Sequence, residues 1–471
     1  MKAASSNTAN TKSCLRGAAS MQGSTAASSP PRKNAVTPAI RRRHRRMQLH
    51  LYQWLTRLLS PFIDLYLLKR RLAGKEDAVR FRERLGHAGL ARPQGALVWV
   101  HAASVGEAVS VLSLIRSITE ALPKAHVLVT TGTVTSAEML AKRLPRRAMH
   151  QYVPVDKVHS VRRFLRHWRP DLALWVESEL WPNLIVETHK TGCPLVQVNA
   201  TLSVESVATW QKAKKLAHRM LESFSLTLPQ TEEDGKRLAS LGAKNIRFVG
   251  NLKFEAPALP VDPKEVGSML TMIGNRPVWV AASTHAGEEI AVAKAHLALK
   301  KQFPDILTIL VPRHPNRRDE ILETLAPESL SIAVRSKSEV ATAATDIYLA
   351  DTLGELGLFY RLSNIVFMGG SLIEQGGHNP LEPARLECAL ITGPHIHHFT
   401  PIFNELIAEN ACIKIEHAEA LPGAVANLLS DKTMQKTMCN AALDFVESKG
   451  SVVADYMEAL GPFITQLKAT S

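Results

Sequence analysis

Short blocks of apolar residues alternate along most of this chain with longer stretches whose apolar positions recur at spacings of three and four. The first kind predicts buried strands, and the second predicts helices packed over them. One set of blocks runs Leu97–Val100, His126–Thr130, Leu172–Val176, Leu195–Val198, Leu226–Leu228 and Ile246–Val249. The rhythm then stops at a proline-rich stretch, Ala256-Pro257-Ala258-Leu259-Pro260-Val261-Asp262-Pro263, and starts again. The second set is Val278–Ala281, Ile306–Val311, Ile347–Ala350, Ile365–Met368 and Ala389–Thr392. Strand-helix alternation of this kind builds parallel sheets. The expected class is therefore α/β, with two Rossmann-like halves at 72–255 and 266–471 and a linker at 256–265.

The N-terminal end follows a different pattern. From Met47 to Leu68, His50, Gln53, Arg57, Ser60 and Asp64 fall on one helical stripe, and Leu51, Leu55, Leu58, Phe62 and Leu65 fall on another. An amphipathic helix over 47–71 is expected, bent at Pro61 and lying in a membrane interface. Its apolar stretch is barely long enough to span, and positive charge flanks both ends. A single span and ordinary packing against the protein are the alternatives. The polar stripe and the absence of a small-residue cleavage site argue against a signal peptide.

Charge sharpens this picture. The net charge is +14, which would point to nucleic acid if it were evenly spread. Instead, residues 1–46 hold ten Lys/Arg and no acid, and residues 69–84 hold seven Lys/Arg against three acids, so these two segments carry the whole excess. The first 46 residues are rich in Ser, Ala, Thr and Asn and read as a disordered basic tail. The run Arg41-Arg42-Arg43-His44-Arg45-Arg46 abuts the apolar helix, which suits an anionic lipid surface and excludes a nucleic-acid partner. The five cysteines show no metal-like or redox spacing, as expected of a reducing cytoplasm.

Candidate chemistry collects at the ends of the apolar blocks. After Ile365–Met368 come Gly369-Gly370-Ser371, Gly376-Gly377 and then His378-Asn379-Pro380-Leu381-Glu382-Pro383. Glycines let backbone approach a ligand, and Pro380 with Asn379 as N-cap predicts a helix through Cys388. Strand, glycine loop and helix N-terminus together form an anion- and ribose-binding corner. In the other half, His101-Ala102-Ala103-Ser104-Val105-Gly106-Glu107 places Glu107 at a helix start, where the dipole favours its ionised form. That suits a general base, although spacing alone favours an ordinary N-terminal acid, since such acids are common there. Glu177-Ser178-Glu179-Leu180-Trp181-Pro182-Asn183 follows Leu172–Val176. There, two carboxylates two apart on extended backbone would point the same way, or Glu179 would cap the helix at Pro182 while Glu177 acts separately. Lys253 in Gly250-Asn251-Leu252-Lys253-Phe254 would face a cleft between the halves, or be one more surface lysine. Arg313 in Pro312-Arg313-His314-Pro315 offers a planar fork for phosphate. Asp351-Thr352-Leu353-Gly354-Glu355-Leu356 is a further strand-end corner. Ser283–Glu289 is given only a place in the cleft. No Asp-x-Asp pair and no zinc-like spacing occurs, so no metal is expected.

Taken in order, HAASVGEA, ESELWPN, GNLKF, PRHP, DTLGEL and GGHNPLEP resemble the motifs of the 3-deoxy-D-manno-octulosonic acid (Kdo) transferases of lipopolysaccharide assembly. The resemblance covers roughly residues 47 to 468, and the basic extension at 1–46 has no counterpart in it. It implies a GT-B fold, two Rossmann-like domains facing across a cleft, with the helical stretch near 431–468 crossing back to the first. It implies an inverting glycosyltransferase at the cytoplasmic face of the inner membrane, moving Kdo from CMP-Kdo to a lipid A precursor, lipid IVA. The resemblance makes Glu107 the base, Glu177 a transition-state stabiliser and Lys253 a partner for negative charge on the donor. Pro312, Arg313, Leu353, Gly354, Glu355, Asn379, Pro380, Leu381 and Glu382 would bind CMP, with Glu382 on the ribose and backbone N–H groups on the phosphate. Another two-Rossmann sugar-nucleotide enzyme, such as a lipid A disaccharide synthase or a UDP-sugar epimerase, is the enzyme rival. Thermal stabilisation by CMP but not UDP separates the two. The non-enzyme rival, a membrane-surface nucleotide-binding regulator with a dead site, would need Glu107 and Glu177 lost, and both are present.

Overall fold

The computed structural model describes residues 38–450 and 452–470, with side chains for 48–450 and 452–469. Its strands form two separate, wholly parallel sheets. The first contains β1 Leu97–His101, β2 His126–Thr131, β3 Ala148–Tyr152, β4 Leu172–Val176, β5 Leu195–Ala200 and β6 Leu226–Pro229, in the order β3-β2-β1-β4-β5-β6. The second contains β7 Val278–Thr284, β8 Leu307–Pro312, β9 Ile332–Val334, β10 Ile347–Leu349, β11 Ile365–Met368, β12 Ala389–Thr392 and β13 Cys412–Lys414, in the order β13-β12-β11-β7-β8-β10-β9.

Helices cover both faces of each sheet, which is why strands such as Leu172–Val176 and Ile365–Met368 are apolar throughout rather than alternating. Leu97 and Trp99 of β1 enter one core and Val98 and Val100 enter another. Trp279 and Ala281 of β7 separate from Val278 and Val280 in the same way.

Three differences from the sequence reading have local causes. Residues 148–152 form an unexpected strand because its polar members find partners. The Trp168 indole donates to Gln151 Oε1 at 2.8 Å, and His150 Nε2 meets Thr131 Oγ1 at 2.9 Å. The expected strand Ile246–Val249 shrinks to one bridge, Thr227 to Ile246, at the sheet edge, and Phe248 is exposed. The edge strands β9 and β13 span three residues each, too short for an alternation to register.

The chain passes between the two halves twice. The helix Pro263–Ile273 starts with Asp262 as its cap, inside the expected linker. At the other end, Lys432–Ser448 packs on the second sheet through Ala442, Phe445 and Val446. Val452–Thr470 then packs on the first through Tyr456, Leu460, Ile464 and Leu467. The Tyr456 hydroxyl accepts from Asn199 N–H at 3.0 Å and donates to the Gly250 carbonyl at 3.1 Å. Gly250 has φ +104°, and a Cβ there would lie 3.2 Å from Val452 Cγ2, so glycine is required where the two passages meet.

At the N-terminus, Pro38–Leu58 and Ser60–Leu72 join without a break, since Leu59 N–H donates to Leu55 O and Ile63 N–H to Leu59 O. Helical backbone therefore begins nine residues before the expected start at 47, within the segment read as a basic tail. Residues 1–37 of that tail lie outside the described residues. Pro61 sits in the first turn of the second segment, where it removes one N–H from the continuous helix while the bonds on either side of it remain. The helix turns only part of its polar stripe inward, with Gln53 buried and Ser60 half-buried, while His50, Arg57 and Asp64 stay exposed. The Tyr52 hydroxyl donates to Asp156 at 2.9 Å, Gln53 to Glu187 at 3.3 Å, and Asp64 pairs with Lys157 at 2.5 Å. Leu51, Trp54, Leu58, Phe62, Leu65 and Tyr66 face outward, with Phe62 68% and Leu65 64% exposed. Among the described residues, no helix is long and apolar enough to cross a membrane.

Candidate active site

In each sheet the strand order reverses at one point, where adjacent strands send their following loops apart and leave a crevice. In the first sheet that point lies between β1 and β4, whose loops carry Glu107 and Glu177.

Ser104 caps the helix Val105–Ser110 and accepts from Glu107 N–H. The Glu107 carboxylate in turn accepts from Ala103 N–H and the Ser104 hydroxyl, each at 2.9 Å. This closed arrangement, legible as Ser-x-x-Glu in the sequence, fixes the rotamer of the carboxylate. Burial raises the Glu107 pKa to about 7, and the nearby Glu177 charge adds to the effect against the pull of its hydrogen bonds. The expectation of a carboxylate held ionised by the helix dipole is corrected here. Desolvation outweighs the helix terminus.

Glu177 and Glu179 do not point the same way. Glu177 leaves β4 with φ +54°, so the stretch is not extended. Its carboxylate pairs with Lys253 Nζ at 2.9 Å and accepts from Gln230 at 3.3 Å. Glu179 instead takes the Trp181 indole N–H at 2.6 Å. It does not cap the helix Pro182–Lys190, which has no side-chain cap from its N-cap residue. Three amides that the sequence reading missed hold this corner. Gln230 donates to Asn199 O at 3.1 Å, Asn251 Nδ2 donates to Gln230 Oε1 at 3.3 Å, and Asn199 Oδ1 accepts from Leu252 N–H at 2.9 Å. No spacing in the sequence marks them, because they come together from three separate corners of the fold.

In the second sheet the reversal lies between β7 and β11. Glu288, buried after β7, accepts from four backbone N–H groups: His285 at 3.0 Å, Gly370 at 2.6 Å, and Ser371 and Leu372 at 3.0 Å each. The N–H groups of Gly370, Ser371 and Leu372 are therefore taken by Glu288 and are not free for a phosphate. Gly369 is needed for close approach, since a Cβ there would lie 2.6 Å from Ser283 O. His285 and His378 stack with Nε2 atoms 2.9 Å apart, and the His314 ring meets His285 edge-on. Burial, with the nearby Arg313 charge and His285, lowers the His378 pKa to about 4.

Arg313 is exposed and has no side-chain hydrogen-bond or ion-pair partner among the described residues, while Pro312 before it ends β8 buried. The Asn379 side chain accepts from Leu381 N–H at 3.2 Å and opens a helix of only Leu381–Ala384, which stops short of Cys388. Pro380 occupies the residue before it in helical conformation. Burial pushes the Glu382 carboxyl upward, opposed by Asn379 and by the Arg313 and Arg143 charges. Arg143 belongs to the first half, so this interaction crosses the cleft. The third corner stands apart. Leu353 is exposed and Gly354 turns with φ +83°. The Glu355 carboxylate is bound by Arg335 at 2.7 Å and by the Thr352 hydroxyl. These contacts outweigh burial and hold it below the usual carboxylate range.

Lys253 joins the halves. Besides Glu177 of the first, its ammonium lies 5.6 Å from the Phe399 ring of the second. One wall of the cleft thus offers a carboxylate protonating near neutrality beside a Glu-Lys pair, and the other offers an unpaired guanidinium among imidazoles. Such a site can accept a proton on one side and hold an anion on the other. Among the described residues, no group of three or more His, Cys, Asp or Glu is placed to hold a metal ion.

Residues 79–256 match the family described as 3-deoxy-D-manno-octulosonic-acid transferase (kdotransferase). A 3-deoxy-D-manno-octulosonic acid transferase of Rickettsia bellii is 35% identical over 417 residues, 88% of this chain and 99% of that protein. One of Haemophilus influenzae is 34% identical over 396 residues, 82% and 92% of the two chains. The solved UDP-GlcNAc 2-epimerase of Neisseria meningitidis, bound to UDP-GlcNAc, superposes with a TM-score of 0.54 at 14% identity. It covers 77% of this chain and 100% of its own, a likeness of fold alone.

Proposed function

The chain belongs to the 3-deoxy-D-manno-octulosonic acid (Kdo) transferase family of GT-B glycosyltransferases, and we propose that it moves Kdo from CMP-Kdo to a hydroxyl of a lipid A precursor with inversion. Glu107 takes the proton of the acceptor hydroxyl as its oxygen bonds to the anomeric carbon of Kdo. The bond from that carbon to the CMP phosphate oxygen breaks, and the electron pair leaves on the phosphate. Arg313 and Lys253 hold the charge that develops there. Glu177 orients Lys253 and steadies the cationic character of the sugar, and Glu382, with Asn379, Pro380 and Leu381, receives the ribose. Leu353, Gly354 and Glu355 border the nucleotide from the β10 side, with Glu355 acting through Arg335. The observation that carries this reading is the buried Glu107 carboxylate, protonating at about 7 and facing the Glu177–Lys253 pair.

The same proposal places the enzyme on the cytoplasmic face of the inner membrane. An exposed apolar stripe on one long helix, next to a basic N-terminus, is what an anionic bilayer surface binds. Incubation with CMP-Kdo and lipid IVA followed by mass spectrometry tests the activity, and the expected product carries added Kdo. Absence of product, or thermal stabilisation by UDP and not CMP, overturns it. For the membrane, Leu58→Asp with Phe62→Asp is expected to release the protein from vesicles, and undiminished co-sedimentation would refute the docking face.

A further inference from the structure

Beside the outward stripe of the N-terminal helix lies a concavity of about 880 Å³, walled by that helix and by Val158–Trp168 and Pro182–Lys190. Arg57, Lys157, Arg162, Arg166, Arg169 and Lys190 line it, together with a single carboxylate, Glu187. Glu187 is shared between Arg162 and Lys190 at 2.6 Å each, and Lys157 is taken by Asp64. Two carboxylates therefore face six cations. Arg57 and Arg169 have no side-chain partner among the described residues, and Arg166 has only the Arg162 carbonyl at 3.3 Å. Like charges gathered around one hollow repel each other unless an anion enters.

The surroundings indicate which anion. Arg57 enters the hollow from the same helix turns whose Leu55, Leu58, Leu59 and Phe62 are exposed to solvent. An anionic group seated among the arginines would have apolar chains beside it along that stripe. The hollow is also remote from the reacting groups. Lys190 ends the helix whose beginning follows the Glu177 segment, and nine residues of helix span about 13 Å.

We propose that this concavity seats the phosphate headgroup of an anionic membrane phospholipid, held by Arg57, Arg166 and Arg169. The proposal rests on the membrane reading above and deepens it. Diffuse attraction of the basic N-terminus sets the approach, and one lipid in the hollow sets the orientation of the cleft to the surface.

The test uses full-length protein and dihexanoyl phosphatidylglycerol below its micelle concentration, measured by calorimetry beside dihexanoyl phosphatidylcholine and inorganic phosphate. The anionic lipid is expected to bind at least tenfold more tightly than either. The Arg57→Gln/Arg166→Gln/Arg169→Gln variant should lose about a hundredfold, at about fivefold per cation. These side chains are exposed, so its melting temperature should match the parent. A charge-matched Lys264→Gln/Lys294→Gln/Lys301→Gln variant should bind as the parent does. Equal loss in that control would reduce the effect to overall charge and overturn the proposal. Equal affinity for inorganic phosphate would make it a free-phosphate site and overturn it as well. A raised KM of the triple arginine variant for acceptor dispersed in neutral detergent would turn the hollow into an acceptor subsite, with the same consequence. Because the soluble-lipid arm needs no bilayer, failure here is distinguishable from failure of the helix to dock, which Leu58→Asp/Phe62→Asp reports separately.

Discussion

Glu107 is the residue on which the chemistry turns, and its environment makes a pH statement. A base must be unprotonated, and burial with the neighbouring Glu177 has raised its pKa to about 7. Turnover should therefore fall as pH drops below about 7 and level off above it. Glu107→Gln should lower turnover by about two to four orders of magnitude and abolish that limb, with CMP affinity nearly unchanged. Glu177→Gln removes a nearby negative charge, so the limb in that variant should move to lower pH. A pH-rate profile with the same acid limb in all three proteins would exclude Glu107. Arg313→Ala tests the opposite wall. The loss of a charge-assisted hydrogen bond of about 1.5–3 kcal/mol should weaken CMP binding by roughly ten- to a hundredfold. Calorimetry showing unchanged affinity would move the phosphate elsewhere.

Among the elements, the loop after β11 depends most on its neighbour. Its glycines make a close approach possible, but the conformation is held by Glu288 from the β7 loop. Glu288→Gln keeps the volume and presents an amide to N–H groups that need acceptors. The loss should lower thermal stability by about 1.5–3 kcal/mol, the range for hydrogen bonds to a charged group, and weaken CMP binding because the β7 and β11 corners lose their mutual register. Unfolding curves and calorimetry measure both, and unchanged CMP affinity in a destabilised protein would show that the loop position is set by other contacts.

At the scale of the whole molecule, the N-terminal helix is both membrane-facing and part of the first half. A chain starting at Lys75 should still fold and bind CMP, since the helix's side-chain partners Asp156, Lys157 and Glu187 among the described residues lie in the first half. It should melt at a lower temperature than the full chain because Asp156 and Glu187 lose Tyr52 and Gln53. Activity should fall on membrane-borne acceptor and recover largely on detergent-dispersed acceptor. Equal sedimentation of the truncated and full chains with anionic vesicles would place the anchor in the body. Charge counting assigns no excess to the body as a whole, yet the fold gathers Lys157, Arg162, Arg166, Arg169 and Lys190 against Arg57. A neutral sum can hide a concentrated field.

The strands with unbroken apolar runs, such as Leu172–Val176 and Ile365–Met368, were legible from the sequence because a sheet buried on both faces leaves no polar position to obscure the pattern. Glu107, Lys253 and Arg313 were singled out because they stand where such runs end, and in a parallel sheet the ends of strands are where a crevice opens. Polar residues that became structural by finding partners were not legible. His150 and Gln151 made a strand out of a segment that reads as loop, and the amides Asn199, Gln230 and Asn251 came together from three separate corners. Which part of the polar stripe on the N-terminal helix turns inward was also decided by tertiary structure. Periodicity defines two faces of a helix, but Asp156, Lys157 and Glu187, more than ninety residues away, determine which side is buried. The pKa of Glu107 follows the same rule. Its position at a helix start was written in Ser104-Val105-Gly106-Glu107, but the desolvation that outweighs the dipole exists only once Glu177 and the surrounding core have closed around it.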